Sequence, residues 1–417
     1  PRPVADKTPA ELADALLAAI REPTAPRYGT IEAAKCFVGA RLPGLSLAHE
    51  VIDSGDTRPI DFREATFAGE FDLSRARVAQ ALDCRGAVFR EAVDFDLTTF
   101  EHSVGVNFAR FESDATCRRV TFQGDLRCTE TEFRGSFVLS AATIEGETYA
   151  QEASFDSLQA AGATFEGSAV FRGATVDGSC RFADAVFAGE TNLQGVRFGG
   201  ETTFADAAFR ERTRLDPESV ADPPIDLRRA TVRTGQIDGP TVDAPASEDA
   251  AATGVLYDCS EATLGAVTVG ATVALSQFRF RETRFDGFDF TQSTIRDGLA
   301  DRNWALPVDD AATDDRYGLL GDLALLRTDA SAITDRYAPR EATYLRAKNA
   351  ADDSGHGNAV AEFFRKEMAC RRRLHLAGAV ERDRRRRDRF GSLYRWAANA
   401  TLEAVAGYGE RPSRGVG

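Results

Sequence analysis

Lysine, methionine and histidine are nearly missing from this 417-residue chain. Lysine occurs only at Lys7, Lys35, Lys348 and Lys366, and a single methionine stands against 28 phenylalanines. Arginine thus supplies almost all the positive charge, and with 65 Asp and Glu the formal net charge is -14. An acidic average repels nucleic acid, although it can hide a local basic patch. The seven cysteines, Cys36, Cys84, Cys117, Cys128, Cys180, Cys259 and Cys370, are odd in number and form no C-x-x-C pair, which argues against a disulfide framework or zinc site. His49, His102, His356 and His375 show neither metal-ligand spacing nor the partner pattern of a triad, and read as surface or loop residues. No P-loop, dinucleotide fingerprint or Gly-x-Ser-x-Gly elbow appears. No apolar run approaches the ~18 residues of a membrane-spanning helix, and no secretory leader is expected. The reading is a non-enzymatic chain of a reducing compartment, with no catalytic residue, cofactor or metal assigned.

What is present is a period. From Phe62 the large apolar residues recur at alternating steps of five and six, through Phe67, Leu73, Val78, Cys84, Phe89, Phe95, Phe100, Val106, Phe111, Cys117, Phe122, Cys128, Phe133, Leu139 and Ile144. After a one-residue slip placed near Ala161 they run from Phe165 to Leu215. The register is then read as lost for about ten residues, returning in strict fives at Leu227, Val232, Ile237 and Val242, and again at Phe280, Phe285, Phe290 and Ile295. Two residues before many of these sits a small one, such as Ala65, Ala76, Ala87, Thr98, Ala109 and Thr131. Steps of five and six fit neither a helical stripe nor strand alternation. They fit a coil that turns a corner about every five residues, with the large residue and the small one two before it on the same inward side. Phe67, Phe89, Phe100, Phe111, Phe122, Phe133, Phe155, Phe165, Phe187, Phe198 and Phe209 are the expected structural ladder. Each contributes about 2 to 3 kcal/mol of transfer free energy, over roughly seven coils and on the order of 34 Å. Glycines two residues past a ladder member, such as Gly69, Gly124, Gly146 and Gly167, suit corners that need permissive dihedrals. The ladder cysteines Cys84, Cys117 and Cys128 read as small buried hydrophobes.

Segments such as ATFEGSAVFRGATV and ADAVFAGETNLQGVRFGGETTF resemble the phenylalanine-rich pentapeptide-repeat family over about residues 58 to 300. The resemblance implies a right-handed quadrilateral β-helix, so the expected fold is mainly β with an N-terminal capping helix and a C-terminal helical region. The expected division is 1–57 for the capping helix and first irregular coil, 58–216 for the repeat, 217–300 for its second segment and 301–417 for the helices.

In TPAELADALLAAI, Thr8 is the expected cap, Pro9 the first helical residue, and Leu12 to Ile20 the apolar face that closes the first coil. FVGARLPGLSLAHEVI is the expected irregular first coil. After Leu299 come RYGLLGDLALLRT, PREATYLRAKNAADDSG and one long helix from NAVAEFF to DRRRRDRF, the last two forming a hairpin that packs Tyr344, Leu345, Phe363, Phe364 and Met368.

From Arg365 to Arg395 stand twelve Arg or Lys and four Asp or Glu, a local net of +8 that leaves -22 on the remainder. Three readings are open: a solvated helix face, an anchor on anionic lipid, and nucleic-acid binding, which the acidic remainder disfavours. The candidate lipid-facing cluster is Arg371, Arg372, Arg373, Arg384, Arg385, Arg386, Arg387 and Arg389. EATYLRAKNAADDSGHGNAVAEFFRKEMACRRR followed by GYGERPSR resembles pentapeptide-repeat proteins that continue into a two-helix potassium-channel-like pore, a part that does not follow here before Gly417. Gly407, Tyr408 and Gly409 read as a helix-terminating turn and not as an ion filter. The expected role is an interaction scaffold of the cytoplasm, at the inner face of the membrane, with its protein partner unassigned and self-association open. The alternative is a DNA mimic that binds DNA gyrase or another topoisomerase.

Overall fold

The computed structural model describes residues 9–21, 36–55, 57–240, 254–290, 304–308, 319–381 and 385–406. The chain forms two compact units, Pro1–Ala252 and Thr253–Gly417. In the first, Thr66–Phe67 pairs in parallel with Val88–Phe89, and that pair with Arg110–Phe111, so one coil takes 22 residues. Within a coil the chain lays down four two-residue strands, for example Thr66–Phe67, Phe71–Asp72, Arg77–Val78 and Leu82–Asp83. Four strands joined by steps of five and six give a parallel β-solenoid with four faces.

Each face stacks like with like. One face carries Leu42, Phe67, Phe89, Phe111, Phe133, Phe155, Val176, Phe198 and Val220 at nine successive levels. Because coils lie one strand spacing apart, ~4.8 Å, their rings meet as offset stacks. Phe67–Phe89, Phe89–Phe111 and Phe111–Phe133 have centroids 4.8, 4.5 and 4.6 Å apart, within 13° of parallel. All eleven ladder phenylalanines are buried. The ladder cysteines are buried as well, and desolvation pushes the Cys128 thiol up to about 12, far from a reactive thiolate.

Two kinds of corner alternate, which explains a pattern the sequence shows only in half. At one kind a tight turn closes, as where Ala65 N–H donates to the Phe62 carbonyl with Glu64 at φ 57°. The residue after the left-handed position is small: Ala65, Ala76, Ala87, Thr98, Ala109 and Thr131 are all buried. Where threonine stands there, its hydroxyl donates to a carbonyl 25 residues back, Thr98 to Leu73 at 2.6 Å and Thr131 to Val106 at 2.8 Å. At the other kind the inward residue two before the ladder member is mostly large: Phe71, Leu82, Val93, Val104, Leu126 and Phe137.

The glycines of these second corners have a different cause from the one expected. Gly124, Gly146 and Gly167 are not left-handed; a Cβ on Gly146 would lie 2.4 Å from the Gly124 carbonyl carbon, and one on Gly167 2.4 Å from the Gly146 oxygen. They are glycine because adjacent coils approach closely there. The positive φ values fall largely on Glu64, Arg75, Leu97, Phe108 and Arg119, side chains that point away from the axis at the tight turns.

The irregularities also move. The one-residue slip lies between Phe155 and Ser157, not near Ala161: Phe133 pairs with Phe155, but Ser136 with Ser157. The stretch after Leu215 stays in the stack with one residue added and one removed again between Val232 and Thr234. Ser219–Val220 continues its face, one residue is added before Thr203 meets Asp226, and Val220 and Ile225 are both buried. The first coil is the irregular one expected: Arg41–Leu42, Leu45–Ser46 and Val51–Ile52 all pair in parallel with the next coil, but Arg41 meets Thr66 and Val51 meets Arg77, a longer circuit than the regular coils make. Helix α1, Pro9–Arg21, covers it with Leu12, Leu16, Leu17 and Ile20 buried; Thr8 and Val242 lie outside the described residues.

Outward positions hold ion pairs. The Arg63 hydrogen bond holds the Asp61 carboxyl below the usual range, and Arg134 and Arg229 do the same for Glu132 and Asp206. A lowered carboxyl contributes stability that is complete above its unfolded value, ~4, and is lost as pH falls through the folded value. Urea midpoints of the full chain should therefore fall as pH drops below ~4. Arg63→Gln should show a smaller acid loss; an unchanged profile would remove Asp61 from the account.

In the second unit, Tyr257–Asp258 pairs with Phe278–Arg279 and Thr263–Leu264 with Arg284–Phe285. Helices α2 (Leu319–Leu325), α3 (Ala330–Asp353), α4 (Gly357–Val380) and α5 (Arg386–Ala406) follow. α3 starts nine residues earlier than expected and keeps Pro339 inside it. It docks on the coil edge through Thr343, whose hydroxyl donates to the Phe280 and Pro339 carbonyls and accepts from the Glu282 N–H at 2.8 Å. α3 and α4 form the expected hairpin, with Tyr344 and Phe363 buried and the Phe363 ring 4.8 Å from Phe290. Ile295 lies outside the described residues.

Candidate functional site: the helical module

The long final helix of the sequence reading is two helices, and the break after Val380 decides where the arginines go. Arg371, Arg372 and Arg373 stay on α4; Arg372 and Arg373 face inward and Arg371 is half-buried at the edge. Arg372 and Arg373 are 0% and 2% exposed, so neither can face lipid. Both donate to the fully buried Asp322 of α2, Arg373 from Nε at 3.1 Å, and Trp396 Nε1 donates to the same carboxylate at 3.1 Å. Arg372 also meets Glu403 of α5. Arg373 lies over the Tyr337 ring, 4.8 Å from its centroid. Arg371 bridges Glu341 and Glu367 at 2.7 and 2.8 Å, and Lys348 binds Glu367 at 2.8 Å. These residues tie α2, α3, α4 and α5 together, which is why that part of the basic run is structural.

The other arginines gather at the start of α5. Arg385, Arg386 and Arg387 are exposed, and Arg389 is half-buried with Nε donating to the Ala379 carbonyl at 3.0 Å. Arg384 lies outside the described residues, as do Gly407, Tyr408 and Gly409. Five arginines and one aspartate stand between 385 and 395, so this end of the module is strongly positive.

The arrangement of α5 is inverted relative to an ordinary amphipathic helix. Its inner face, at helical spacing, is Ser392, Trp396, Asn399, Ala400 and Glu403, mostly polar. Its outer face is apolar: Phe390 and Tyr394 are 70% and 76% exposed, and Leu393, Leu402 and Val405 are exposed too. The buried charge network explains the polar inner face, since Asp322 and Arg372 must find hydrogen-bonding partners there. It does not explain the apolar outer one. In sequence the same face shows as Phe390, Leu393, Tyr394, Ala397, Leu402 and Val405, a helical spacing hidden by the arginines that run into it.

Between α4 and α5 lies a groove of about 380 Å³, with Leu326, Leu376, Ala379, Val380, Phe390 and Leu393 on its walls and Arg386 and Arg389 beside them. Among the described residues no cluster of His, Cys, Asp and Glu could hold a metal ion. His356 meets Asp289 at 3.2 Å. His375 is on α4, half-buried, and not the surface or loop residue expected; burial and then Arg395 lower its pKa. Among the described residues no helix is long and apolar enough to cross a membrane.

Taken together the coils and helices define a β-solenoid repeat protein with a helical module. Residues 171–216 match a family model described as pentapeptide repeats (9 copies), and the same coil geometry extends N-terminally from them to Leu42. No curated protein and no solved structure matches the chain.

Proposed function

We propose that the protein is a non-enzymatic interaction scaffold whose helical module rests on the anionic inner face of a membrane through α5. The observation that carries this is the exposed apolar face of α5 beside Arg385, Arg386 and Arg387. An interfacial helix needs that pairing, apolar residues for the acyl boundary and cations for the headgroups, each cation adding about 1 kcal/mol near an anionic surface. Water leaves the same face without a partner. The resemblance of the α3–α4 segment and GYGERPSR to channel-linked repeat proteins supports the finer reading, in which the module lies next to a membrane pore. The DNA-mimic alternative has the acidic total in its favour, but the coil surface interleaves pairs such as Arg63–Asp61, Arg85–Asp83 and Arg228–Asp226 where mimicry needs an unbroken acidic track. Inhibition of gyrase supercoiling at low micromolar protein would reverse this ranking.

Vesicle flotation tests the proposal. The full chain should float with phosphatidylglycerol vesicles and not with phosphatidylcholine alone. Tyr394→Glu, or reversal of Arg385, Arg386 and Arg387 to Glu, should weaken binding at least about tenfold, given three charges at ~1 kcal/mol each. Equal behaviour on both lipids would refute the electrostatic part, and unchanged binding of Tyr394→Glu the apolar part.

A further inference from the structure

We infer that the groove between α4 and α5 is a binding site for one hydrocarbon chain of an anionic membrane lipid, with Arg386 and Arg389 receiving its headgroup. The inference rests on the membrane reading above and adds a stoichiometric site to it. The groove holds about 380 Å³, and at ~30 Å³ per water-sized group it has room for about a dozen such groups. Apart from Arg386 and Arg389, its lining side chains are Leu326, Leu376, Ala379, Val380, Phe390 and Leu393, which offer no hydrogen-bonding group to a polar ligand. Leu326 is 50% exposed and Phe390 70%, so both sides of the groove reach the surface.

Charge complementarity selects the class of occupant. Among the described residues neither Arg386 nor Arg389 has a carboxylate partner, although the chain as a whole has more acid than base. The Arg389 Nε bond to the Ala379 carbonyl ties that guanidinium to the groove wall itself. A guanidinium offers several donors in a fixed fork that suits a phosphate. An apolar trough with two such cations beside it fits an amphiphile with an anionic head and a single chain in the trough. A peptide would bring backbone groups that these walls cannot satisfy. Phe390 and Leu393 also belong to the outer face of α5, so a chain lying in the groove would be continuous with the lipid layer on which that face rests.

The test uses the full chain and monomeric lysophosphatidylglycerol below its micellar concentration, with lysophosphatidylcholine and inorganic phosphate as comparison probes, read by native mass spectrometry and calorimetry. One lysophosphatidylglycerol should bind per chain, at least tenfold more tightly than lysophosphatidylcholine, with no measurable phosphate binding. Ala379→Trp, which fills the groove from its wall, should lose that binding at least tenfold while still floating with phosphatidylglycerol vesicles, because Ala379 is not on α5. Arg386→Glu gives a second variant that leaves the groove open and should erase the preference over lysophosphatidylcholine. Flotation of the wild type without one-to-one uptake would overturn the groove and leave the membrane reading standing; failure of both overturns both. Uptake unaffected by Ala379→Trp, or a dimer in solution that takes up no amphiphile, would also overturn it.

Discussion

Asp322→Ala should unfold the helical module at a denaturant concentration well below that of the parent chain, with a loss of about 3 to 5 kcal/mol. Asp322 is fully buried and accepts from Arg372, Arg373 and the Trp396 indole. Its removal leaves two interior guanidinium groups short of their common counter-charge. Glu403 still meets Arg372, but its side chain is 25% exposed and is a weaker counter-ion. Both tryptophans, Trp304 and Trp396, lie in the unit Thr253–Gly417, so their fluorescence reports on that unit and not on the coils of the other. Asp322→Asn should recover only part of the loss, since it keeps an acceptor and loses the charge. A change below about 1 kcal/mol would show that the network is incidental to stability.

Phe133→Ala should be the most damaging of the single truncations in the first unit, at about 3 to 5 kcal/mol by circular dichroism during urea unfolding. Phe133 has ring neighbours at three sides: Phe111 at 4.6 Å, Phe137 at 4.3 Å and Phe155 at 5.1 Å. In a stack where each coil meets only its neighbours, a cavity at a middle level weakens the contact above and the contact below together. Phe108→Ala is the control. That ring is 60% exposed at a tight turn, and its loss should stay within about 0.5 kcal/mol. Equal losses for the two would mean that ring stacking along the axis is not what holds the coils together.

Inside the coils the sequence was legible because one period governs everything: ladder members such as Phe89 and Phe187 are spaced by covalent geometry, and any slip would expose them. The alternation of small and large residues two positions earlier was half visible, since Ala65 and Ala87 look regular on their own whereas Phe71 and Val93 merge into the ladder. The reason for the glycines is not legible, because close approach of Gly146 to Gly124 is a relation between coils 22 residues apart. The helical module was less legible. Arg371 to Arg373 and Arg385 to Arg387 are alike as runs of letters, and only the break after Val380 leaves the first set paired within the module, Arg372 and Arg373 with Asp322 and Arg371 with Glu341 and Glu367, and the second set outside. Asp322 itself gave no local sign, being one aspartate in a chain rich in them.

The shortened side at Asp156 and the added residue before Asp226 bear on how such a chain tolerates insertion and deletion. In a helix a single inserted residue rotates everything beyond it by 100°, and in a long strand it turns every later side chain to the opposite face. Here the next strand returns to its place, Leu158 over Phe137 and Asp226 over Thr203, because the corner absorbs the change in length. A frame error is thus confined to one side of one coil. Lineages can drift in repeat length without losing the stack, and an exact pentad count is a poor guide to where such a domain ends.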